Sequence, residues 1–148
     1  MIIRKAIIKD FLEISKLDRE VWGKKSKYVP DGEHVWRIWI EYSYVYCIEE
    51  NNKIVAVIVS FSTNNEKLYF LHKIFVHTDF RNNNYGLELF KILCKKLDEE
   101  KLNCYLTTDP ENYKMVKLCN YFKFNNREYI SSYYGEGKDR FLYKRIIN

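Results

Sequence analysis

Apolar and polar positions alternate through IIRKAII (residues 2–8), which predicts an opening β-strand. Phe11, Ile14, Leu17, Asp18 and Val21 follow at near-helical spacing, with Asp10 as the expected N-cap and Gly23 as the stop. The stretch 23–32, GKKSKYVPDG, is a polar, turn-rich connection. HVWRIWIEY (34–42) reads as a second short helix, with Val35, Ile38, Trp39 and Tyr42 expected on one face.

YVYCIEE (44–50) and KIVAVIVSFS (53–62) flank Asn51-Asn52 and predict a hairpin. After a second turn, NNEK, the long and mostly apolar LYFLHKIFVH (68–77) is expected as a central strand. A helix follows over LELFKILCKKL (87–97), its stripe made of Gly86, Phe90, Leu93, Cys94 and Leu97. LNCYLTT (102–108) is another strand. Asp109-Pro110 is expected to open the next helix, with Met115, Leu118, Cys119 and Phe122 on its buried face. FNNREYISSYY (124–134) and DRFLYKRII (139–147) close the chain as two strands around Gly135-Glu136-Gly137. The pattern implies a single domain over 1–148. It is of α/β (α+β) class, with one mixed, mostly antiparallel sheet of about six to seven strands and helices on both faces.

Composition narrows the possible roles. An apolar fraction of 47% with 30% charged residues describes a globular chain. The longest apolar run falls far short of the roughly 20 residues of a membrane span. MIIRKAIIKDF has no apolar core of a secretion signal. No membrane association is expected. The net charge of +5 is spread along the chain without a basic block, so nucleic-acid binding, which 17% aromatics would otherwise suit, is not expected. Cys47, Cys94, Cys104 and Cys119 form no CxxC and no metal-ligand spacing with the histidines. They read as free thiols of a reducing, cytoplasmic setting, and no metal is expected.

One connection carries chemistry. RNNNYG (81–86) lies between an apolar strand and a helix. Helix N-termini expose unsatisfied N–H groups that suit phosphate. Glycine, and next best asparagine, tolerates the backbone such a turn needs. Arg81 adds a fork of donors.

VHTDFRNNNYGLELF resembles the acetyl-CoA loop of the GNAT acetyltransferases, whose pattern there is R/Q-x-x-G-x-G/A. Arg81, Asn84 and Gly86 fall on the patterned positions, and Val76 on the valine that ends the preceding strand. Asn84 stands where the family has glycine, and Thr78 where it has proline. A second stretch, NYKMVKLCNYFKF (112–124), is similar to the family's N-x-x-A-x-x-L-Y-x-x-x-G-F segment. Asn112, Leu118 and Phe124 match there. Met115, Cys119 and Lys123 replace the small residue, the tyrosine and the glycine.

The resemblance implies an acyl-CoA N-acyltransferase-like fold. It also implies direct transfer of an acetyl group from acetyl-CoA to a primary amine, on a small molecule or a peptide. Cofactor contacts would come from Ile74, Phe75 and Val76, from Arg81, Asn82, Asn83, Asn84, Tyr85, Gly86 and Leu87, and from Asn112 and Cys119. His72, four residues before Val76 on the same strand face, is the candidate base. Its alternative is a hydrogen-bonded histidine filling the sheet.

Glu33 and His34 border the acceptor site in the family's arrangement and are the alternative candidate bases, Glu33 first; as a pair they also suit a helix start. Cys119 takes the place of the family's proton-donating tyrosine, or simply packs. Tyr133 and Tyr134, at the tip of the last hairpin, would wall the acceptor slot or form an interface. A homodimer is compatible with the aromatic surface. A CoA-binding module without catalysis is the other reading.

Overall fold

The computed structural model describes residues 1–23 and 29–147, so much of the connection expected over 23–32 lies outside the described residues. The elements in chain order are β1 (Ile2–Lys5), a 3-10 turn (Ile8–Asp10), α1 (Phe11–Trp22), α2 (Glu33–Tyr42), β2 (Tyr44–Glu50), β3 (Lys53–Ser62) and β4 (Leu68–Val76). A second 3-10 turn (Thr78–Phe80) leads to α3 (Tyr85–Glu100), β5 (Asn103–Thr108), α4 (Tyr113–Tyr121), β6 (Asn126–Ile130) and β7 (Arg140–Arg145). Among the described residues, seven strands form one mixed sheet in the order β1-β2-β3-β4-β5-β7-β6. Strand β4 runs parallel to β5, while β1–β2, β2–β3, β5–β7 and β6–β7 are antiparallel.

The chain divides into two compact units, residues 1–61 with 72–89 and residues 62–71 with 90–148, so β4 and α3 each contribute to both. In the first unit the β2–β3 hairpin turns on Asn51 and Asn52, both at positive φ (51° and 62°), which fits a two-residue turn twisted to match its strands. The register slips between Ile48 and Glu49, leaving Val55 as an extra residue of β3. Its carbonyl accepts from the His77 N–H at 2.7 Å. Ile14, Leu17 and Val21 of α1 and Trp36 and Ile40 of α2 are buried in one cluster with Val45, Val57, Val59 and Phe75 of the strands. Each such side chain contributes about 1.5–3 kcal/mol when removed from water.

The buried face of α2 is rotated from the expected one. Trp36 and Ile40 are buried, while Ile38 and Tyr42 are exposed. The indole of Trp36 fills the core and donates Nε1–H to Asp18 Oδ2 at 2.9 Å, which satisfies its one polar atom. Asp10 also departs from the expected N-cap role. Its backbone is already helical, and its carboxylate instead accepts from the Ile7 N–H (2.8 Å) and from Arg4 (2.8 and 3.1 Å). Gly23 ends α1 with helical rather than left-handed angles; a Cβ there would meet the Arg19 carbonyl oxygen at 2.5 Å.

In the second unit, three registered pairs join β4 to β5, Leu68–Phe70 with Asn103–Tyr105. Strand β7 lies between β5 and β6. Phe90 of α3 stacks on Phe122 (5.0 Å) and meets Phe124 edge-on (5.7 Å). The helix expected from Asp109-Pro110 begins later. Asp109 folds back on the Glu111 N–H (2.9 Å), and Asn112 caps α4 by accepting from the Met115 N–H (3.3 Å). The strand expected over 124–134 shortens to β6, because Ser132 sits at φ 55° and its N–H is taken by Asp139 Oδ1 at 2.8 Å.

Candidate functional site

In the first unit, β4 ends at Val76 and the chain reaches α3 through the 3-10 turn and residues 81–84. Thr78 opens that turn, and His77 Nδ1 accepts from the Asp79 N–H at 3.1 Å. Asn82 and Asn84 both take left-handed angles, φ 67° and 62°. Asn84 thus adopts the conformation for which glycine is the default residue, and asparagine is among the few others that visit it readily. The Glu88 N–H bonds to the Asn84 carbonyl at 3.0 Å, so the N–H groups of Tyr85, Gly86 and Leu87 precede the helical ladder. A Cβ added to Gly86 would meet nothing within 4 Å. Its missing side chain therefore answers no internal packing need. Arg81, Asn82, Asn83 and Asn84 are exposed. The Tyr85 hydroxyl is hydrogen-bonded to Glu50 at the end of β2, so that side chain serves the loop's anchoring.

Ile74 and Val76 are half-buried and Phe75 is buried, meeting Trp36 edge-on at 6.0 Å. His72 precedes them and lies against Trp39 of α2 (4.9 Å) and Phe61 of β3 (5.9 Å). Its Nε2 is 3.0 Å from Asp31 Oδ2. The same carboxylate oxygen is 2.8 Å from Lys73 Nζ, which also reaches Asp18 at 3.0 and 3.3 Å. Asp18 is fully buried and accepts from the Asp31 N–H (2.8 Å) as well as from Trp36. Burial alone would raise the Asp31 carboxyl, but the hydrogen bonds from His72 and Lys73 outweigh it and hold the group below its ordinary range. Glu33 and His34 are exposed in the first turn of α2, Glu33 lying 3.7 Å from Arg19.

In the second unit, Cys119 is fully buried on α4, and burial pushes its thiol up to about 12. Tyr121, two residues on, is exposed. Tyr133 and Tyr134 are exposed and meet edge-on at 4.7 Å. The Tyr134 hydroxyl is 3.0 Å from Thr107 Oγ1, and the Arg140 guanidinium lies over its ring at 5.0 Å. Among the described residues no group of three or more His, Cys, Asp or Glu side chains is placed to hold a metal ion, and no helix is long and apolar enough to cross a membrane.

The sequence-predicted residues thus fall in two sets. His72, Glu33, His34, 74–76 and 81–87 belong to the first unit; Asn112, Cys119, Tyr133 and Tyr134 belong to the second. Sequence reasoning missed Asp31 as a partner of His72, and Lys73 as a partner of Asp31. A signal was present in Asp18, a charged residue on the apolar stripe of α1, which a buried position tolerates only with a partner.

The model of the acetyltransferase (GNAT) family matches residues 8–124. No curated protein sequence matches the chain. Among solved structures, the ribosomal-protein-S18-alanine N-acetyltransferase from Escherichia coli aligns with a TM-score of 0.82 at 16% identity, over 99% of this chain and 94% of that one. Aminoglycoside 6'-acetyltransferase type Ii aligns with a TM-score of 0.79 at 16% identity, over 100% and 98%. A chain of the NatC complex bound to Gag peptide and CoA aligns with a TM-score of 0.78 at 19% identity, over 99% and 98%. At these identities the likeness shows a shared fold.

Proposed function

This chain belongs to the acetyltransferase (GNAT) family, and on that premise we propose that it transfers an acetyl group from acetyl-CoA to a primary amine by direct attack. The observation that carries the reading is the 81–87 segment. Asn84 holds φ 62° at the family's glycine position, and the space a Gly86 side chain would fill is open. These residues fit a pyrophosphate. Arg81 would supply a charged fork, and the Tyr85, Gly86 and Leu87 N–H groups would point to the anion at the start of the 16-residue α3.

The backbone of Ile74, Phe75 and Val76 would hold the pantetheine arm, with a main-chain N–H near Val76 aimed at the acyl oxygen. When bound, acetyl-CoA supplies the activated acyl carbon and a thiol leaving group. His72 is the base that takes the proton from the amine nitrogen. The acceptor is a small-molecule or peptide amine; the candidate acceptor residues are Glu33 and His34 in the first unit and, separately, Tyr133 and Tyr134 in the second. The four buried free thiols suit a reducing, cytoplasmic setting.

One observation favours a second reading, CoA binding without transfer. The family's tyrosine is replaced by Cys119, whose buried thiol holds its proton too tightly to serve as an acid at neutral pH.

Calorimetric titration with acetyl-CoA, CoA and ATP tests the cofactor, and acetyl transfer to a panel of polyamines, aminoglycosides and peptide N-termini tests the reaction. Binding of both thioester and thiol but not ATP is expected. Arg81→Glu should weaken acetyl-CoA binding about tenfold or more, the scale of one lost charge-assisted hydrogen bond. Unchanged affinity in that variant would overturn the loop assignment. Tight CoA binding with no acceptor modified would select the second reading.

A further inference from the structure

We propose that Asp31 is a positioning residue for His72, fixing the ring's orientation and tautomer for proton abstraction; this rests on the reading of His72 as the base. Asp31 lies just before α2, in a Pro-Asp-Gly stretch that the sequence marks only as a turn. In the structure Asp31 is held by three contacts, two of them at its carboxylate. Its own N–H donates to Asp18 (2.8 Å), while Oδ2 lies 2.8 Å from Lys73 Nζ and 3.0 Å from His72 Nε2. Asp18 is fully buried and Lys73 nearly so, so this anchor is rigid. A neutral imidazole that donates Nε2–H to a carboxylate carries its lone pair on Nδ1. The contact thus assigns the two ring nitrogens different tasks, Nε2 to the anchor and Nδ1 to the proton. Trp39 and Phe61, stacked on each other at 5.9 Å, both lie against the ring.

The anchor extends behind the ring through named contacts: among the described residues, the Asp31 carboxylate that meets His72 also meets Lys73, and Lys73 reaches the buried Asp18 of α1. From α2 and β3 the rings of Trp39 and Phe61 lie against the imidazole.

The test has a spectroscopic arm and a kinetic arm, both on the full chain. A hydrogen-bonded ring N–H on a carboxylate gives a downfield proton resonance, assigned by its loss in His72→Gln. It should vanish in Asp31→Ala. Acetyl-CoA binding should stay within about twofold of wild type in that variant, which also reports that the chain is folded. Turnover should fall about 10–100-fold or more, that range being the scale for partners that orient metal-bound imidazoles. Asp31→Glu should recover part of it. In the His72→Gln background, Asp31→Ala should cost nothing further, because Asp31 acts through the ring.

An additive loss in that background, or a ring N–H signal that survives Asp31→Ala, overturns the proposal. If wild type acetylates no amine in the panel, the catalytic reading fails instead. The resonance alone then decides whether Asp31 holds the ring.

Discussion

Asn84 shows how a departure from a family pattern can keep its geometry. Its φ of 62° is a conformation that costs most L-residues about 1–2 kcal/mol and that asparagine visits more readily. Asn84→Gly should therefore preserve both stability and acetyl-CoA affinity. Asn84→Val should lose about 1–2 kcal/mol in urea unfolding and weaken acetyl-CoA several-fold, since a β-branched side chain disfavours that angle. Equal affinity for all three would show that the loop does not meet the cofactor.

Cys119 is the opposite case, a departure that changes the chemistry. Its thiol is buried and pushed up to about 12, so Cys119→Ala should keep most of the turnover, while Cys119→Tyr should destabilise by about 1–3 kcal/mol through overpacking rather than gain activity. A profound loss of turnover in a stably folded Cys119→Ala would restore the thiol as an acid. The identity of both departures was legible in the sequence. So was the burial of Cys119, from its place on the apolar stripe of α4; the φ of Asn84 was not, because a backbone angle does not follow from spacing. Asp31 was illegible as a partner of His72 for a related reason: 41 residues separate them, and only tertiary packing joins them.

Among the elements, the strands and helices follow apolar periodicity closely, and the boundaries fail where two local signals compete. Asp109-Pro110 and Asn112 both suit a helix start, and sequence preference favours proline in the first turn. Asp109 spends its carboxylate on the Glu111 N–H, so the helix waits for Asn112. Asn112→Ala should therefore cost about 1 kcal/mol of stability in urea unfolding, the usual worth of a capping side chain. No change would mean that the cap at 3.3 Å contributes nothing. The face of α2 was misjudged for a different reason. Its periodic stripe offers two overlapping apolar sets, and the buried one is chosen by the hydrogen bond between Trp36 and Asp18 on another helix. The last hairpin was read too long because the reach of Asp139 back to Ser132 is a side-chain event that alternation does not encode.

Stability of the chain against acid depends on charges that the fold places out of water. Asp10 is nearly buried and sits against Arg4, which also engages Glu49 at 2.6 Å. Burial alone would raise the Asp10 carboxyl, but the Arg4 hydrogen bonds and the Ile7 N–H outweigh it and hold the group below its ordinary range. A carboxyl lowered by folding stabilises the native state above its unfolded value of about 3.9, and that contribution is lost as pH falls through the folded value. Asp31, lowered in the same sense, adds to this. Wild type should thus lose stability on acidification below about pH 4, the unfolded carboxyl value.

Arg4→Met isolates the effect. At pH 7 it leaves Asp10 ionised and nearly buried without its cation, which should cost about 2–3 kcal/mol, at the low end for a broken buried pair because Arg4 is itself a quarter exposed. In that variant the Asp10 carboxyl loses the Arg4 hydrogen bonds and charge that lowered it, so it rises from its wild-type position and less stability is lost when it takes a proton. The gap between wild type and Arg4→Met should therefore narrow as urea unfolding is repeated from pH 7 down to about pH 3. A gap that stays constant across that range would mean that Arg4 stabilises the chain through the packing of its stem, and that its charge contributes nothing.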